Sequence, residues 1–211
     1  MSFFKSYNKI FEQSLMGVDT AFIPRKYLNP EKNYKRLEPP ILRAKQMGFM
    51  NGLDFGCGSV GSMIVARLHG LEVVGLDIPY GIDDSKEGER NRNGLEAKKI
   101  VEKSSVHLGQ QNNLNKMGYR VVIRDTNNYP WDEFADNEFD FILAYFALSK
   151  EWVNHSDTLD FSTEIYRQRL TELIRITRDG GVWYIYPKNH IHATEKHKDL
   201  MTKKIQLRSW R

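Results

Sequence analysis

The chain has 211 residues, 40% of them hydrophobic and 27% charged, with a net charge of +4. That size and balance describe one globular unit able to bury its own core, and exclude a disordered or low-complexity chain. No apolar run approaches the ~20 residues needed to span a bilayer, and a single cysteine, Cys57, excludes an intramolecular disulfide and a cysteine-based zinc site.

Residues 1–50 carry Phe3, Phe4, Tyr7, Phe11, Phe22, Tyr27 and Tyr34 among Pro24, Pro30, Pro39 and Pro40. The prolines predict short, broken helices, one of them from Pro39 to Met47. The first residues are amphipathic, but no basic region leads into an uninterrupted apolar stretch, so no signal peptide is expected. A reducing, cytoplasmic setting is the expectation. Residues 1–50 are read as a cap or lid on a main domain spanning 51–211, within a single domain overall.

From residue 51 strands and helices alternate. Gly52–Phe55 reads as a short apolar strand ending in glycines, Ser62–His69 as a helix, and Leu71–Leu76 as a second strand ending at Asp77. A polar stretch, Pro79–Asn93, is followed by a helical region from about Leu95 to Lys116. Tyr119–Ile123 is a third strand, ending at Arg124-Asp125. Phe139–Leu148 is a fourth, introduced by the turn-like Ala135-Asp136-Asn137. Thr163–Thr177 places Tyr166, Leu170, Leu173, Ile174 and Thr177 on one helical face, and Asp179-Gly180-Gly181 reads as its stop. Val182–Tyr186 is the fifth strand, and Lys204–Trp210 has room for a sixth. This alternation predicts an α/β, doubly wound, mostly parallel Rossmann-like sheet with a shortened C-terminal end and an N-terminal helical cap.

The densest signal is Leu53-Asp54-Phe55-Gly56-Cys57-Gly58-Ser59-Val60-Gly61, where a strand turns into a helix. Glycines there allow a close backbone approach to a ligand, and the helix beyond offers unbonded N–H groups. Gly56-x-Gly58-x-x-Gly61 also fits the dinucleotide fingerprint, with Asp77 where a ribose-binding acid belongs. On this motif a NAD-dependent oxidoreductase stays open. Asp54 tilts the choice. A carboxylate inside an apolar strand calls for a cationic partner. Adenosylmethionine brings an ammonium and a sulfonium, whereas a pyrophosphate would be repelled.

Taken together, the Asp54-Phe55-Gly56-Cys57-Gly58 loop, Asp77 ending strand two, Asp125-Thr126 before Pro130-Trp131, the Phe139-Asp140 strand and Asp179-Gly180-Gly181 before strand five resemble class I S-adenosylmethionine-dependent methyltransferases. The likeness is strongest to the broad group acting on small molecules, and it covers residues 51–187. It implies S-adenosyl-L-methionine as cofactor, with Asp54, Gly56, Cys57 and Gly58 around its methionine end and Gly61 opening the helix. It further implies Asp77 on the ribose hydroxyls, Ile78 against the adenine, Asp125 and Thr126 at the adenine edge, and Tyr145 and Phe146 along the reaction side. The chain departs from the pattern in the long Pro79–Asn93 stretch. It departs again after strand five, where such proteins usually close the sheet with a helix and an antiparallel strand pair.

A small residue is needed at Cys57 for packing, so it is not read as a nucleophile. His190, His192 and His197 lie in a basic tail and read as surface histidines, with no metal site expected. His155 is the candidate general base, with Glu151 and Asp157 as rivals. The segment after strand four, Ala144-Tyr145-Phe146-Ala147-Leu148, lacks the Asn/Asp-Pro-Pro-aromatic signature of enzymes that methylate adenine or glutamine nitrogens, so a small-molecule acceptor is favoured. From Lys188 to Arg211 there are seven Lys/Arg against two Asp/Glu. That excess keeps an RNA acceptor as an alternative. The shortened C-terminal end favours a non-catalytic cofactor-binding protein as another.

Overall fold

The computed structural model describes residues 2–18, 29–57, 61–77, 108–124, 129–145, 164–186 and 195–209. Two helices come first, α1 (Phe3–Ser14) and α2 (Pro30–Gln46). They are followed by β1 (Asn51–Phe55), α3 (Gly61–Leu68) and β2 (Glu72–Asp77). Helix α4 covers residues 108–116, then come β3 (Val121–Ile123) and β4 (Phe139–Tyr145). The C-terminal part is α5 (Glu164–Ile176), β5 (Thr177–Tyr186), α6 (Glu195–Lys204) and β6 (Ile205–Ser209).

The strands form one six-stranded sheet in the order β3-β2-β1-β4-β5-β6, and every neighbouring pair is parallel. A parallel sheet covered on both faces needs apolar side chains pointing both ways, which explains near-continuous apolar runs such as Phe141-Ile142-Leu143-Ala144. On one face Val73, Phe141, Leu143, Val182 and Tyr184 meet α1, α2, α3 and α4. On the other, Leu53, Leu76, Ile142, Trp183 and Ile185 meet Leu170, Leu173 and Ile174 of α5 and Met201 of α6. The closing strand β6 runs parallel to β5, and no antiparallel strand occurs among the described residues. Among the described residues the sheet closes at β6, and residues 195–209 of the basic tail form a packed helix and strand with Met201 and Ile205 buried.

Two expectations are corrected. The prolines of residues 1–50 do not break the chain into short helices. Pro30 sits in the first turn of α2, where its missing N–H costs nothing. Asn29 caps that turn, its side chain accepting from Lys32 N at 3.0 Å. The helix then runs 17 residues through Pro39 and Pro40. Those two residues lack the N–H groups that would bond the carbonyls of Lys35 and Arg36. Burial of Tyr34, Leu37, Pro40, Ile41 and Ala44 offsets that loss; each large apolar side chain buried is worth about 1.5–3 kcal/mol.

The second correction concerns Asp179-Gly180-Gly181, which does not cap α5. The helix ends at Ile176, Thr177 already pairs with Phe139, and the glycines lie within the first half of β5. Gly180 has φ +76° and takes the bend there. A Cβ on Gly181 would lie 2.5 Å from Thr177 Cγ2, so the chain doubles back too tightly for a side chain. Other expected elements agree to within a few residues. The turn before β4 contains Asn137 at φ 60°. The Leu95–Lys116 helix is described only from 108, and the strand-four residues 146–148 lie outside the described residues.

Candidate functional site

The strand order runs one way from β1 to β3 and the other way from β4 to β6. In open α/β sheets this reversal opens a crevice beyond the carboxyl ends of the two central strands, where ligands bind. Asp54 of β1 lies opposite Gly75 of β2 and Leu143 of β4, so it sits at that crevice. Asp77 ends β2 two residues beyond Gly75. By strand alternation Gly52, Asp54, Gly75 and Asp77 share the face covered by α3. Phe141 stacks over Gly52, and Cys57 Sγ and Met63 fill the space above Gly75.

Asp54 is 5% exposed. Its one hydrogen-bond donor among the described residues is the Ser62 hydroxyl, from the first turn of α3. Burial pushes its carboxyl up to about 6, against the opposing pull of the Ser62 bond and of the Arg36 charge. A further cation beside it would favour its charged form. Gly56 follows at φ 71°, a left-handed conformation that turns the chain out of the strand. The N–H groups of Gly56 and Cys57 both donate to Leu76 O, at 2.8 and 3.2 Å, and lock the loop to β2. Cys57 is buried. Desolvation holds its thiol well above the ordinary range, with Asp77 and Asp54 adding to the effect, so the sulfur stays protonated and serves packing.

Gly61 begins α3. A Cβ there would meet Tyr7 Oη at 2.7 Å and Leu37 Cδ1 at 2.8 Å. The glycine is thus required by α1 and α2, which press onto the first turn of α3. Asp77 is 5% exposed, and the Gln111 side-chain amide of α4 donates to its Oδ2 at 2.7 Å. The adjacent Gln110 donates to Ser14 Oγ at 2.9 Å, and Asn113 to the carbonyls of Ser14 and Met16, both at 3.0 Å. One helix therefore grips both the end of β2 and the end of α1.

Of the residues singled out in the sequence, the structure brings Asp54, Gly56, Cys57, Gly61 and Asp77 together at one sheet edge. Tyr145 is the last residue of β4, at the same edge. Gly58, Ile78, Asp125, Thr126, Phe146 and His155 lie outside the described residues. Three further residues join the site: Ser62, Gln111 and Tyr7. Gln110 and Gln111 were detectable as amides at helical spacing from the apolar Leu114, positions where an exposed polar face would not fall. Tyr7, in a stripe with Phe4 and Phe11, reads as plain core, and its rings do pack that way, 5.6 Å from Phe11 and 5.3 Å from Tyr34. Among the described residues no three His, Cys, Asp or Glu side chains converge as a metal site would require, and no helix is long and apolar enough to cross a membrane.

No protein-family model and no curated protein matches the chain. Solved structures do show likeness. A Pyrococcus horikoshii protein is 17% identical, over 78% of this chain and 59% of that one, with a TM-score of 0.46. An S-adenosylmethionine-dependent methyltransferase from Clostridium acetobutylicum is 15% identical, over 72% and 49%, with a TM-score of 0.41. The N-methyltransferase NodS from Bradyrhizobium japonicum, solved with S-adenosyl-L-homocysteine, is 13% identical, over 93% and 85%, with a TM-score of 0.42. The chain spans 59% or less of the length of the first two. With every TM-score below 0.5, these likenesses decide nothing about activity; the side chains and topology of this chain carry the reading.

Proposed function

We propose that the chain is a class I S-adenosylmethionine-dependent methyltransferase with a small-molecule acceptor. The observation that carries this reading is Asp54, a carboxylate beside the glycine turn with one hydroxyl donor among the described residues, its carboxyl raised to about 6 by burial. A ligand ammonium would favour its charged form, and a pyrophosphate would oppose it. Asp77 supports the reading as a carboxylate able to accept from a ribose diol, held in place by Gln111. The order β3-β2-β1-β4-β5-β6 is also that of dinucleotide-binding sheets, which favours a NAD-dependent oxidoreductase as the second reading.

When bound, the cofactor supplies an activated methyl group on a sulfonium leaving group. The chain's task is then to bind, orient and exclude water. Asp54 and the loop through Gly56, Cys57 and Gly58 would hold the amino-acid end, and Gly61 would let the N-terminal helices close over it. Asp77, Ile78, Asp125 and Thr126 would hold the nucleoside, and Tyr145 and Phe146 would face the acceptor. His155 is the proposed base for an acceptor that keeps its proton at neutral pH. An RNA acceptor is the weaker alternative. The tail's helix and strand are committed to packing, and its cations are not interleaved with stacking aromatics.

Calorimetry and thermal shift on the full chain with S-adenosylhomocysteine and with NADH test the reading. A ligand at 100 times its Kd stabilises by about 2.7 kcal/mol. S-adenosylhomocysteine is expected to raise Tm and NADH to leave it unchanged. A shift with NADH alone transfers the site to the oxidoreductase reading.

A further inference from the structure

The Tyr7 side chain is 0% exposed, yet its hydroxyl has no hydrogen-bond partner among the described residues. Leaving a buried hydroxyl unbonded costs about 1–3 kcal/mol, so native structures rarely do so without cause. The hydroxyl is not in a random place. It lies against Gly61, 2.7 Å from where a Cβ would be, at the first residue of α3. Ser62, next along, donates to Asp54. The hydroxyl therefore faces the amino end of a helix of 8 residues, beside the carboxylate that borders the glycine turn.

Three sources of positive potential meet there. The N–H groups of the first turn of α3, which have no acceptor within the helix, are one. The phenolic O–H is the second; burial pushes its ionisation upward, so it is a neutral donor at any working pH. Arg36 of α2 is the third, its charge acting on both Tyr7 and Asp54. Asp54, held by Ser62 of that same turn, is the negative group beside them. An α-amino acid end, with one ammonium and one carboxylate, matches this pairing of opposite charges.

We propose that Tyr7, with Arg36 and the first turn of α3, forms a carboxylate-binding subsite that the N-terminal helices contribute to the cofactor site. It rests on the reading of the crevice as an S-adenosylmethionine site. Asp54 takes the ammonium of the amino-acid end, and Tyr7 Oη donates to its carboxylate. Helices α1 and α2 are then part of the binding machinery, and Gly61 is the contact that lets the hydroxyl reach the helix end.

The test compares two probes on the full chain by calorimetry: S-adenosylhomocysteine, and 5′-methylthioadenosine, which has the same nucleoside thioether without the amino-acid end. Tyr7→Phe removes one oxygen and keeps the ring packing. The expected result is about a tenfold loss of affinity for S-adenosylhomocysteine and a change of less than twofold for 5′-methylthioadenosine. The ligand-free variant should melt at the same temperature or higher, because an unbonded buried hydroxyl has been removed. A merely structural hydroxyl would instead lower Tm and leave the two affinities in their original ratio. Equal effects on both probes, or none on either, overturn the subsite and leave the cofactor reading intact. Failure of both probes to bind the unmodified chain overturns the cofactor reading and the subsite with it.

Discussion

The two ends of the sheet treat buried charge in opposite ways. At the amino end of β4, Asp140 accepts from the backbone N–H groups of Met50 and Asn51 at 2.7 and 2.9 Å and pairs with Arg178 at 2.8 Å. At the same end Glu172 accepts from Trp131 N at 2.9 Å and is paired by Arg175, which also reaches Asp136 and the carbonyls of Trp131 and Phe134. Both of these acids have backbone and cationic partners. At the carboxyl end, among the described residues, Asp54 has a single hydroxyl donor and the Tyr7 hydroxyl has no hydrogen-bond partner. The lesson is that Asp140 and Glu172 are held by cations and backbone N–H groups of the fold, whereas Asp54 keeps accepting capacity for a ligand. Position on the strand separates the two kinds, since both residues are aspartates in apolar strands.

The sharpest way to break this comparison is Asp54→Asn. The Asp54 carboxyl sits at about 6 when folded, against an ordinary value of 3.8. For an acid raised in the folded state, the native state binds more protons between those two values, so stability falls as pH rises through that window. Above it the folded protein carries a penalty on the order of 3 kcal/mol. Asparagine keeps an oxygen for the Ser62 donor and removes the penalty. Relative to the unmodified chain, the variant should gain on the order of 3 kcal/mol at pH 7.5 and little at pH 4, read by urea denaturation at both pH values. It should also lose at least about a hundredfold in affinity for S-adenosylhomocysteine, the scale expected when a buried charge partner goes. In the unmodified chain that affinity should weaken as pH falls through about 6, as Asp54 takes up its proton. A variant that is less stable at pH 7.5 would make Asp54 a structural acid like Asp140.

Asp140→Ala is the converse. It leaves two backbone N–H groups without their acceptor and Arg178 without its ion pair. The expected loss is about 2 kcal/mol of stability, lowering the urea midpoint. Affinity for S-adenosylhomocysteine should stay within twofold, because the change lies at the other end of the strand. A selective loss of affinity would show that the two ends are not independent.

Much of this contrast was legible in the sequence. Alternating apolar runs and glycine turns gave the strands, and Asp54 and Asp77 stood out as acids where each strand meets its turn. What stayed hidden depends on tertiary contact. Helix Pro30–Gln46 is concealed in the sequence by Pro39 and Pro40, because the burial that offsets two missing N–H groups is not a local property. Asp179-Gly180-Gly181 looks like any helix stop until Thr177 is seen paired with Phe139. Tyr7 is indistinguishable from Phe4 or Phe11 by spacing; only the contact with Gly61 gives its hydroxyl a direction. Gln111 falls at helical spacing from the apolar Leu114, but nothing local in the sequence links it to its target 34 positions earlier.

That amide offers the finest test of the comparison. Gln110 and Gln111 are neighbours on one helix, 1% and 3% exposed, and they differ in what they hold. Gln110 donates to Ser14 Oγ and ties α4 to α1, whereas Gln111 donates to Asp77 Oδ2. Leucine at either position keeps the helix and the approximate volume. If the ends of β1 and β2 form the binding edge, Gln111→Leu should act on the ligand through Asp77. Its effect should be about fivefold in affinity for S-adenosylhomocysteine, equivalent to about 1 kcal/mol. Gln110→Leu should lower stability by a similar amount and leave affinity unchanged. A double-mutant cycle gives the decisive reading. Asp77→Ala removes the group through which Gln111 acts, so adding Gln111→Leu to it should cost almost nothing further. Full additivity in that cycle would mean that Gln111 merely packs, and that Asp77 holds its orientation without it.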